Sequence, residues 1–200
     1  MMREVETPAG PARVLLQQAL EPKAALVLGH GAGGSVSAPD LQAATRVALE
    51  EDVSVALVEQ PYRVAGRTNA PAAPKLDEAW LAVMAELNDF DGLPLITGGR
   101  SSGARVACRT AAAVGAAGVL CLAFPLQPPA RASGSAPESR LPELEAVSVP
   151  VLVVQGRNDQ FGVPPEGPGR TVVVLDGDHG LKKDLGGIGE AVRDWLRRLL

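Results

Sequence analysis

Short, almost uninterrupted apolar runs recur along this chain, and each is followed within three residues by Gly, Pro or Asp. Six runs of this kind lie at residues 24–28, 53–58, 94–97, 118–123, 149–154 and 171–175. Because their apolar residues are continuous rather than alternating, both faces of each run are expected to be buried, as in parallel strands covered by helices. The runs therefore predict a largely parallel β-sheet.

Segments with helical periodicity separate these runs. The predicted helices cover residues 39–51, 74–88, 102–114, 137–146 and 184–200. Two more strands are expected at 3–7 and 12–18, antiparallel and at the sheet edge, joined by a turn at 8–10. This alternation predicts an α/β fold, a three-layer sandwich with helices on both faces of a mostly parallel, twisted sheet of about seven or eight strands. Residues 1–200 are expected to form one domain.

Composition and charge narrow the function classes. The chain is 46% hydrophobic and 21% charged with a net charge of −4, which predicts a globular protein that does not bind nucleic acid. No apolar run approaches the roughly 18 residues of a membrane span, and the N-terminus lacks a signal peptide's apolar stretch. We therefore expect no membrane association, a cytoplasmic location, and a monomer or small homo-oligomer. Cys108 and Cys121 lie among apolar residues and are expected to be reduced core residues.

The segment at 98–103 combines small residues with serine. It centres a Gly-x-Ser-x-Gly frame on Ser101, between a predicted strand and a predicted helix. Small neighbours permit the sharp turn that exposes a nucleophilic serine, and the helix N-terminus offers free N–H groups to an oxyanion. Ser102 does not fit the frame, because Arg100 and Ala104 flank it at the same offsets. The simpler interpretation is a serine N-cap in a Gly-rich loop.

Two later strand ends carry residues that could complete a catalytic site. Asp159 follows the fifth apolar run, and His179, one of two histidines, follows the sixth. Serine, aspartate and histidine in this order, each after a successive buried strand, match the chain order of a known serine triad. His179 would accept the proton of Ser101, and Asp159, rather than Asp176 or Asp178, would orient the imidazole. Each residue alone is equally typical of an ordinary turn.

The glycine-rich segment at 29–34, GHGAGG, follows the first apolar run. A loop of this kind supplies backbone N–H groups to a tetrahedral oxyanion. We assign Ala32 and Ser102 as the donors, with Gly31 as a competing donor. His30 is expected to position the loop rather than to act as a second base, and His30 and Gly31 are also candidate substrate-binding residues.

The same glycines allow a second interpretation. Gly-x-Gly-x-x-Gly after a strand is a dinucleotide-binding fingerprint, and Glu59 lies where a ribose-binding acid belongs. In that motif the helix begins within the glycine run, so that its N-terminus can hold pyrophosphate. Pro39 instead predicts a helix start five residues after Gly34, which disfavours the dinucleotide interpretation.

A polar segment at 59–69 follows the second apolar run and contains the sole tyrosine, Tyr62, with Arg63 and Arg67. Its place beside the glycine-rich loop predicts that these three residues line the substrate site and favour anionic substrates. Arg100 could add to the positive field or pair with a carboxylate. The alternative is a surface loop whose arginines never face substrate.

These motifs resemble the α/β-hydrolase superfamily, in particular its small, lid-poor branch near dienelactone hydrolase. The matching segments are HGAG at 30–33, PY at 61–62 with GR at 66–67, GGRSSG at 98–103, QGRND at 155–159 and DHGLK at 178–182. The resemblance spans about residues 13–197 and implies the hydrolase fold with Ser101 where dienelactone hydrolase has cysteine. Only residues 124–138 stand where larger relatives insert a lid, so an open pocket is expected.

We therefore expect a serine hydrolase that cleaves an ester, thioester or related acyl bond of a small substrate, without a metal or organic cofactor. A non-catalytic protein of this fold that binds a ligand or partner is the alternative, and a dinucleotide-binding enzyme is a third. A fluorophosphonate probe would separate the first from the second, because labelling requires an activated serine. Binding of NAD(P) would identify the third.

Overall fold

The computed structural model of the protein describes residues 1–128 and 138–200. The strands in these ranges are β1 (Met2–Val5), β2 (Ala12–Gln17), β3 (Ala24–Gly29), β4 (Val53–Glu59), β5 (Leu95–Arg100), β6 (Gly118–Leu122), β7 (Val151–Gly156) and β8 (Arg170–Leu175). The helices are α1 (Pro39–Glu50), α2 (Pro61–Val64), α3 (Ala73–Ala85), α4 (Ser102–Thr110), α5 (Leu141–Glu145) and α6 (Leu185–Leu199), with a 3-10 turn at Asn88–Phe90. None of these helices is long and apolar enough to span a bilayer.

The described strands form one sheet in the order β1-β2-β4-β3-β5-β6-β7-β8. All pairs from β4 to β8 across the sheet are parallel, whereas β2 runs antiparallel to both β1 and β4. The β1–β2 turn closes with a 3.0 Å hydrogen bond from the Gly10 N–H to the Thr7 carbonyl, and Gly10 has a φ of +103°. The predicted α/β class, mostly parallel sheet and antiparallel edge hairpin are confirmed.

Continuous apolarity in the strands is explained by helices on both faces. On one face α1 and α6 pack against residues such as Leu26, Leu57 and Leu120. On the other, α3 covers the half of the sheet near β4, and α4 with α5 covers the half near β6. Cys108 and Cys121 are free thiols buried in this second layer, with their sulfurs 3.5 Å apart. Their burial agrees with the prediction that both are core residues.

Most differences from the predicted bounds are at element ends. Strand β5 continues through Gly98 and Gly99, which the turn signal had placed beyond its end. A Cβ atom on Gly98 would lie 2.5 Å from the Leu120 carbonyl oxygen, and one on Gly99 would lie 2.5 Å from the Gly29 carbonyl oxygen. These glycines therefore permit close strand packing rather than a turn.

Other bounds also differ. Helix α4 stops at Thr110 instead of 114, and the N–H of Ala116 closes the following turns on the Ala111 carbonyl at 3.0 Å. Helix α2 was not expected, although Pro61 occupies a favoured first helical position. Residues 129–137, which include most of the segment in place of a lid and the predicted start of the helix at 137, lie outside the described residues.

The topology fixes where chemistry can occur. From β3 the chain moves to β4 on one side, and it later returns to β5 on the other side of β3. The carboxyl ends of β3 and β5 therefore flank a topological switch point, where open α/β sheets form their crevice. The glycine-rich loop at 29–34 and the serine at 101 are the segments that follow these two strands.

Candidate active site

Ser101 occupies a strained turn between β5 and α4. Its φ of +52° and ψ of −110° are unfavourable for a residue with a side chain, and its N–H donates to the Leu122 carbonyl at 2.9 Å. The turn is tight enough that a Cβ on Gly103 would collide with the Gly29 carbonyl oxygen and lie 2.8 Å from that of His30. The small residues predicted on both sides of the serine are thus required by backbone packing.

The structure brings the three predicted triad side chains into one hydrogen-bonded row. His179 Nε2 lies 3.0 Å from Ser101 Oγ, and His179 Nδ1 lies 2.7 Å from Asp159 Oδ2. Asp178 instead turns back to accept the Gly180 N–H at 2.8 Å, and Asp176 is exposed. The partner of the imidazole is therefore Asp159, which follows β7, and not either acid next to the histidine.

Two residues that sequence analysis did not single out complete the surroundings of Asp159. The Asp159 side chain is fully buried, and its Oδ1 accepts the Phe161 N–H at 2.8 Å. Its Oδ2 accepts a second hydrogen bond, from Gln155 Nε2 at 2.7 Å. The Phe161 ring packs edge-on against the His179 ring with centroids 4.6 Å apart. The carboxylate and the imidazole are thus held from both sides.

His30 ties the glycine-rich loop to the end of β4. Its Nε2 accepts the Gln60 N–H at 3.0 Å, so the ring hydrogen lies on Nδ1, which donates to the Gly31 carbonyl at 2.8 Å. Burial lowers the pKa of the His30 imidazole, consistent with this neutral form. The expectation that His30 binds substrate is wrong, because the buried ring has both nitrogens occupied by the backbone. Its predicted positioning role fits this geometry.

Tyr62 holds the same loop from another side. The Tyr62 hydroxyl donates to the Ala32 carbonyl at 2.7 Å, and its ring lies edge-on to that of His30 with centroids 5.8 Å apart. Tyr62 is buried and its hydroxyl is engaged, so it supports the loop, and its role as a substrate contact stays a prediction. Gly31 does lie beside the nucleophile, since a Cβ built on it would be 3.4 Å from Ser101 Cβ.

Among the described residues, the two arginines of the 59–69 segment make no hydrogen bond or salt bridge to a triad residue. Arg63 Nη1 donates to the Arg67 carbonyl at 3.0 Å, and Arg67 is exposed. Arg67 and Tyr62 line a cavity of about 380 Å³ with Lys75 and Glu78, and none of the three triad residues is among the described residues lining it. This cavity is therefore not the space in front of Ser101, and a substrate-binding role for Arg63 and Arg67 remains a prediction.

Arg100, next to the nucleophile, is paired. Its Nε lies 3.0 Å from Asp40 Oδ2, and its Nη2 donates to the His179 carbonyl at 2.8 Å. Burial raises the pKa of the Asp40 carboxyl, and the neighbouring guanidinium opposes that rise. Of the two alternatives considered for Arg100, the structure shows the pairing with a carboxylate, and Asp40 is a partner that sequence analysis did not identify.

The dinucleotide interpretation does not fit the geometry. Helix α1 begins at Pro39, after the glycine run has ended, so its N-terminus does not open within the fingerprint. The Glu59 carboxylate lies 3.9 Å from the Arg13 guanidinium on the neighbouring strand. Across residues 1–128 and 138–200, no group of three or more His, Cys, Asp or Glu side chains is placed to hold a metal ion.

Open space borders the imidazole. A cavity of about 300 Å³ reaches His179 and is otherwise lined by polar residues. These are Asn158, Gln160, Asp178, Gly180 and Lys182. The His179 side chain itself is 18% exposed, so the ring can be reached by a small molecule while its carboxylate partner stays dry.

Comparison with known proteins agrees with this architecture. The chain is similar over its whole length to XC6422 of Xanthomonas campestris, described as an α/β serine hydrolase without a lid, with 20% identity, a TM-score of 0.76 and coverage of 100% and 94% of the two chains. It is also similar to Est1E of Butyrivibrio proteoclasticus (15% identity, TM-score 0.79, coverage 99% and 98%) and to a dienelactone hydrolase of Anabaena variabilis (14%, 0.77, 99% and 96%). A search of curated proteins finds no match. The profile of the family described as "Alpha/beta hydrolase domain" matches residues 22–186. The chain therefore belongs to the alpha/beta hydrolase family.

Proposed function

We propose that this protein is a serine hydrolase that cleaves an ester, thioester or related acyl bond of a small substrate through Ser101, His179 and Asp159. The observation that carries the proposal is the unbroken hydrogen-bonded row from the buried Asp159 carboxylate through the imidazole to the hydroxyl of a serine with positive φ. Backbone strain at a serine is unfavourable without a function, and here it coincides with a base within hydrogen-bond reach.

The geometry supports a two-step acyl transfer. His179 Nε2 takes the Ser101 proton as Oγ attacks the carbonyl carbon, and the imidazolium then returns that proton to the leaving group. Asp159 keeps the ring hydrogen on Nδ1 and stabilises the imidazolium when it forms. Water repeats the sequence to release the acid, with the same residue first as base and then as acid.

The developing oxyanion needs donors on the side of Ser101 that faces the glycine-rich loop. Ser102 contributes the first N–H of α4, where the positive end of the helix dipole also lies. Ala32, or Gly31 in its place, would contribute the second from the loop that His30 and Tyr62 hold. We propose Ala32 and Ser102 as this pair, each directed at the oxygen of the tetrahedral intermediate.

Labelling with a fluorophosphonate tests the nucleophile. The wild-type protein should be labelled and Ser101→Ala should not, whereas Ser102→Ala should retain labelling because its change leaves the backbone N–H in place. Labelling that survives in Ser101→Ala, or that is lost only in Ser102→Ala, would refute the assignment.

Turnover separates an enzyme from a non-catalytic protein of the same fold. A series of p-nitrophenyl esters and matched thioesters of increasing acyl length should be hydrolysed by the wild type, and Ser101→Ala should lose this activity. A folded wild type that is neither labelled nor active on any member of the series would favour the non-catalytic alternative.

A further inference from the structure

We infer that Asp40 and Arg100 act as positioning residues that hold the loop of the base, His179, in register with the nucleophile. This inference rests on the proposed function, because it gives the pair a role in the same reaction. Neither residue has a place in the proposed chemistry, and neither is placed to touch the reacting atoms.

Asp40 anchors the pair in the protein interior. It lies in the first turn of α1, and its side chain is only 1% exposed. Its Oδ1 accepts the Leu41 N–H at 2.9 Å, which fixes the carboxylate plane and leaves Oδ2 directed at Arg100. A buried carboxylate is costly unless it is paired, so this one determines where the guanidinium must lie.

Arg100 connects the buried Asp40 carboxylate to the loops around the triad. It is the last residue of β5, directly before Ser101, so its backbone moves with the nucleophile. While Nε faces Asp40, Nη2 donates to the His179 carbonyl, and Nη1 lies 2.8 Å from where a Cβ on Gly31 would be. The rigid planar group thus binds the loop after β8 and lies close to the loop after β3, while the backbone of Arg100 leads into the turn of Ser101; an ammonium on a flexible stem could not reproduce this arrangement.

Several contacts attach the turn that carries the base to its surroundings. The Gly177 carbonyl accepts the Asn158 N–H at 2.9 Å, the His179 ring bonds to Asp159 and Ser101, and the Leu181 side chain is buried. Among the described residues, the hydrogen bonds donated by main-chain N–H groups at 179–181 stay within the turn. Gly180 donates to the Asp178 carboxylate, and Leu181 donates to the Asp178 carbonyl. Leu181 also has a φ of +47°. The bond from Arg100 to the His179 carbonyl adds a main-chain attachment at residue 179 itself, made by the residue directly before Ser101, and we expect this bond to contribute to the distance between the base and the nucleophile.

The matched control is a second arginine–carboxylate pair at the far end of α4. Arg109 Nη2 lies 2.6 Å from Asp77 Oδ1, and its Nη1 lies 3.3 Å from Glu143 Oε1. The Arg109 and Asp77 side chains are 19% and 21% exposed, against 18% for Arg100 and 1% for Asp40, so the arginines match in burial while the control carboxylate is the more exposed one. This pair joins α4 to α3 and contacts none of the triad loops. Variants of this pair therefore measure how the loss of a partly buried ion pair changes the melting temperature when the triad loops are left intact.

The experiment compares Asp40→Asn and Arg100→Lys with Asp77→Asn and Arg109→Lys, using steady-state hydrolysis of p-nitrophenyl acetate and thermal unfolding. In the first two variants kcat should fall about 10- to 100-fold, because a shift of about 1 Å in the base has effects of that size, while KM stays within about twofold. In the two control variants both constants should stay near wild type even where the melting temperature falls. If the pair were purely structural, its variants would have a lower melting temperature but would not show a fall in kcat at nearly constant KM.

Each outcome decides a separate point. If the wild type is neither labelled by the fluorophosphonate nor active on any ester or thioester of the series, the proposed function fails and this inference fails with it. If the wild type is active and folded Asp40→Asn keeps wild-type kcat, or if the control variants lose kcat equally, the positioning role is refuted and the proposed function stands. Should Arg100→Lys not fold because it strands a buried carboxylate, the double variant Asp40→Asn with Arg100→Gln removes both charges and is judged by the same split.

Discussion

Replacing Asp159 with asparagine tests the candidate site at its most constrained atom. The carboxylate makes three hydrogen bonds: Oδ1 with the Phe161 N–H at 2.8 Å, and Oδ2 with Gln155 Nε2 and His179 Nδ1 at 2.7 Å each. All three partners donate to the carboxylate when the imidazole carries its hydrogen on Nδ1. Asparagine has nearly the same shape but offers one acceptor and one donor in place of two acceptors. One of the three contacts must therefore invert.

The surrounding donors determine which contact inverts. If the asparagine amide replaced Oδ1, it would face the Phe161 N–H, and that backbone group would lose its partner. If the amide replaces Oδ2, Gln155 Nε2 still has the Phe124 carbonyl at 3.1 Å and the Gly162 carbonyl at 3.0 Å. The second orientation leaves only the second N–H of the new amide, which faces Gln155, without an acceptor, and it keeps the partner of the Phe161 N–H. We therefore expect the amide of Asn at position 159 to point at the imidazole.

That orientation forces the wrong tautomer. The amide N–H can only donate to Nδ1 of His179, so the ring hydrogen moves to Nε2, which then cannot accept the proton of Ser101. We expect kcat to fall about 10⁴-fold, the size of this effect in a serine protease triad. Loss of a charge-assisted hydrogen bond to Gln155, with two N–H groups brought face to face, should lower the free energy of unfolding by about 1–3 kcal/mol.

The assay pairs ester hydrolysis with urea unfolding and with ¹⁵N chemical shifts of the imidazole. These shifts should place the ring hydrogen on Nδ1 in the wild type and on Nε2 in Asp159→Asn. Asp176→Asn is the matched control, because Asp176 is exposed and follows β8 in the same sequence neighbourhood as His179. A folded Asp159→Asn variant with kcat within about tenfold of wild type would refute the tautomer argument, as would an equal loss in Asp176→Asn.

Three further outcomes are expected. Because burial lowers the pKa of His30, the folded state resists protonation of this ring, and its contribution to stability is complete above about pH 6.5 and declines as the pH falls below it. Between about pH 7 and about pH 5, urea unfolding should show that the free energy of unfolding falls more steeply with pH in the wild type than in His30→Gln, by at most about 1.4 kcal/mol per pH unit. Parallel curves for the two proteins would contradict this. Gly103→Ala places a Cβ 2.8 Å from the His30 carbonyl oxygen and should lower the free energy of unfolding by about 3 kcal/mol, whereas Gly33→Ala, with nothing within 4 Å, should cost little. Cys108 and Cys121 are buried and mutual contact raises the pKa of the Cys121 thiol, so iodoacetamide should modify neither until the protein is unfolded; rapid alkylation of the native protein would show that this layer opens.

The sheet could be predicted because the burial of its two faces determines which residue types its strands contain. Strands buried on both faces must be continuously apolar, and the edge hairpin is not, so the two kinds of strand differ in sequence. The ends were less predictable where one residue type serves two purposes. Gly98 and Gly99 indicate a turn when read along the chain, yet they lie within β5, because carbonyl groups of β6 and β3 pass too close for a side chain. That proximity depends on neighbours distant in sequence.

The residues in the hydrogen-bonded row were also predictable, because each follows one of the parallel strands, whose carboxyl ends lie at the same edge of the sheet. The roles of His30 and Tyr62 were predicted less well. His30 lies in a loop and Tyr62 in the short helix α2, both directly after a strand, and a local pattern cannot say whether a polar side chain turns outward to a ligand or inward to a neighbouring loop. In the structure both turn inward, and their polar atoms contact the Gly31 and Ala32 carbonyls and the Gln60 N–H.

The supporting residues that sequence analysis did not identify resemble Tyr62 and His30 in one respect: they hold other residues of the site in place. Asp40 and Phe161 belong to no motif, and Gln155 belongs to the QGRND segment but was given no role; each contacts the candidate site through a single atom or ring. A motif identifies groups that must have a particular chemistry, whereas support for those groups can come from any side chain of suitable length nearby. The motif residues therefore indicate what reaction the site can attempt, and these supporting side chains determine the distances on which its rate depends.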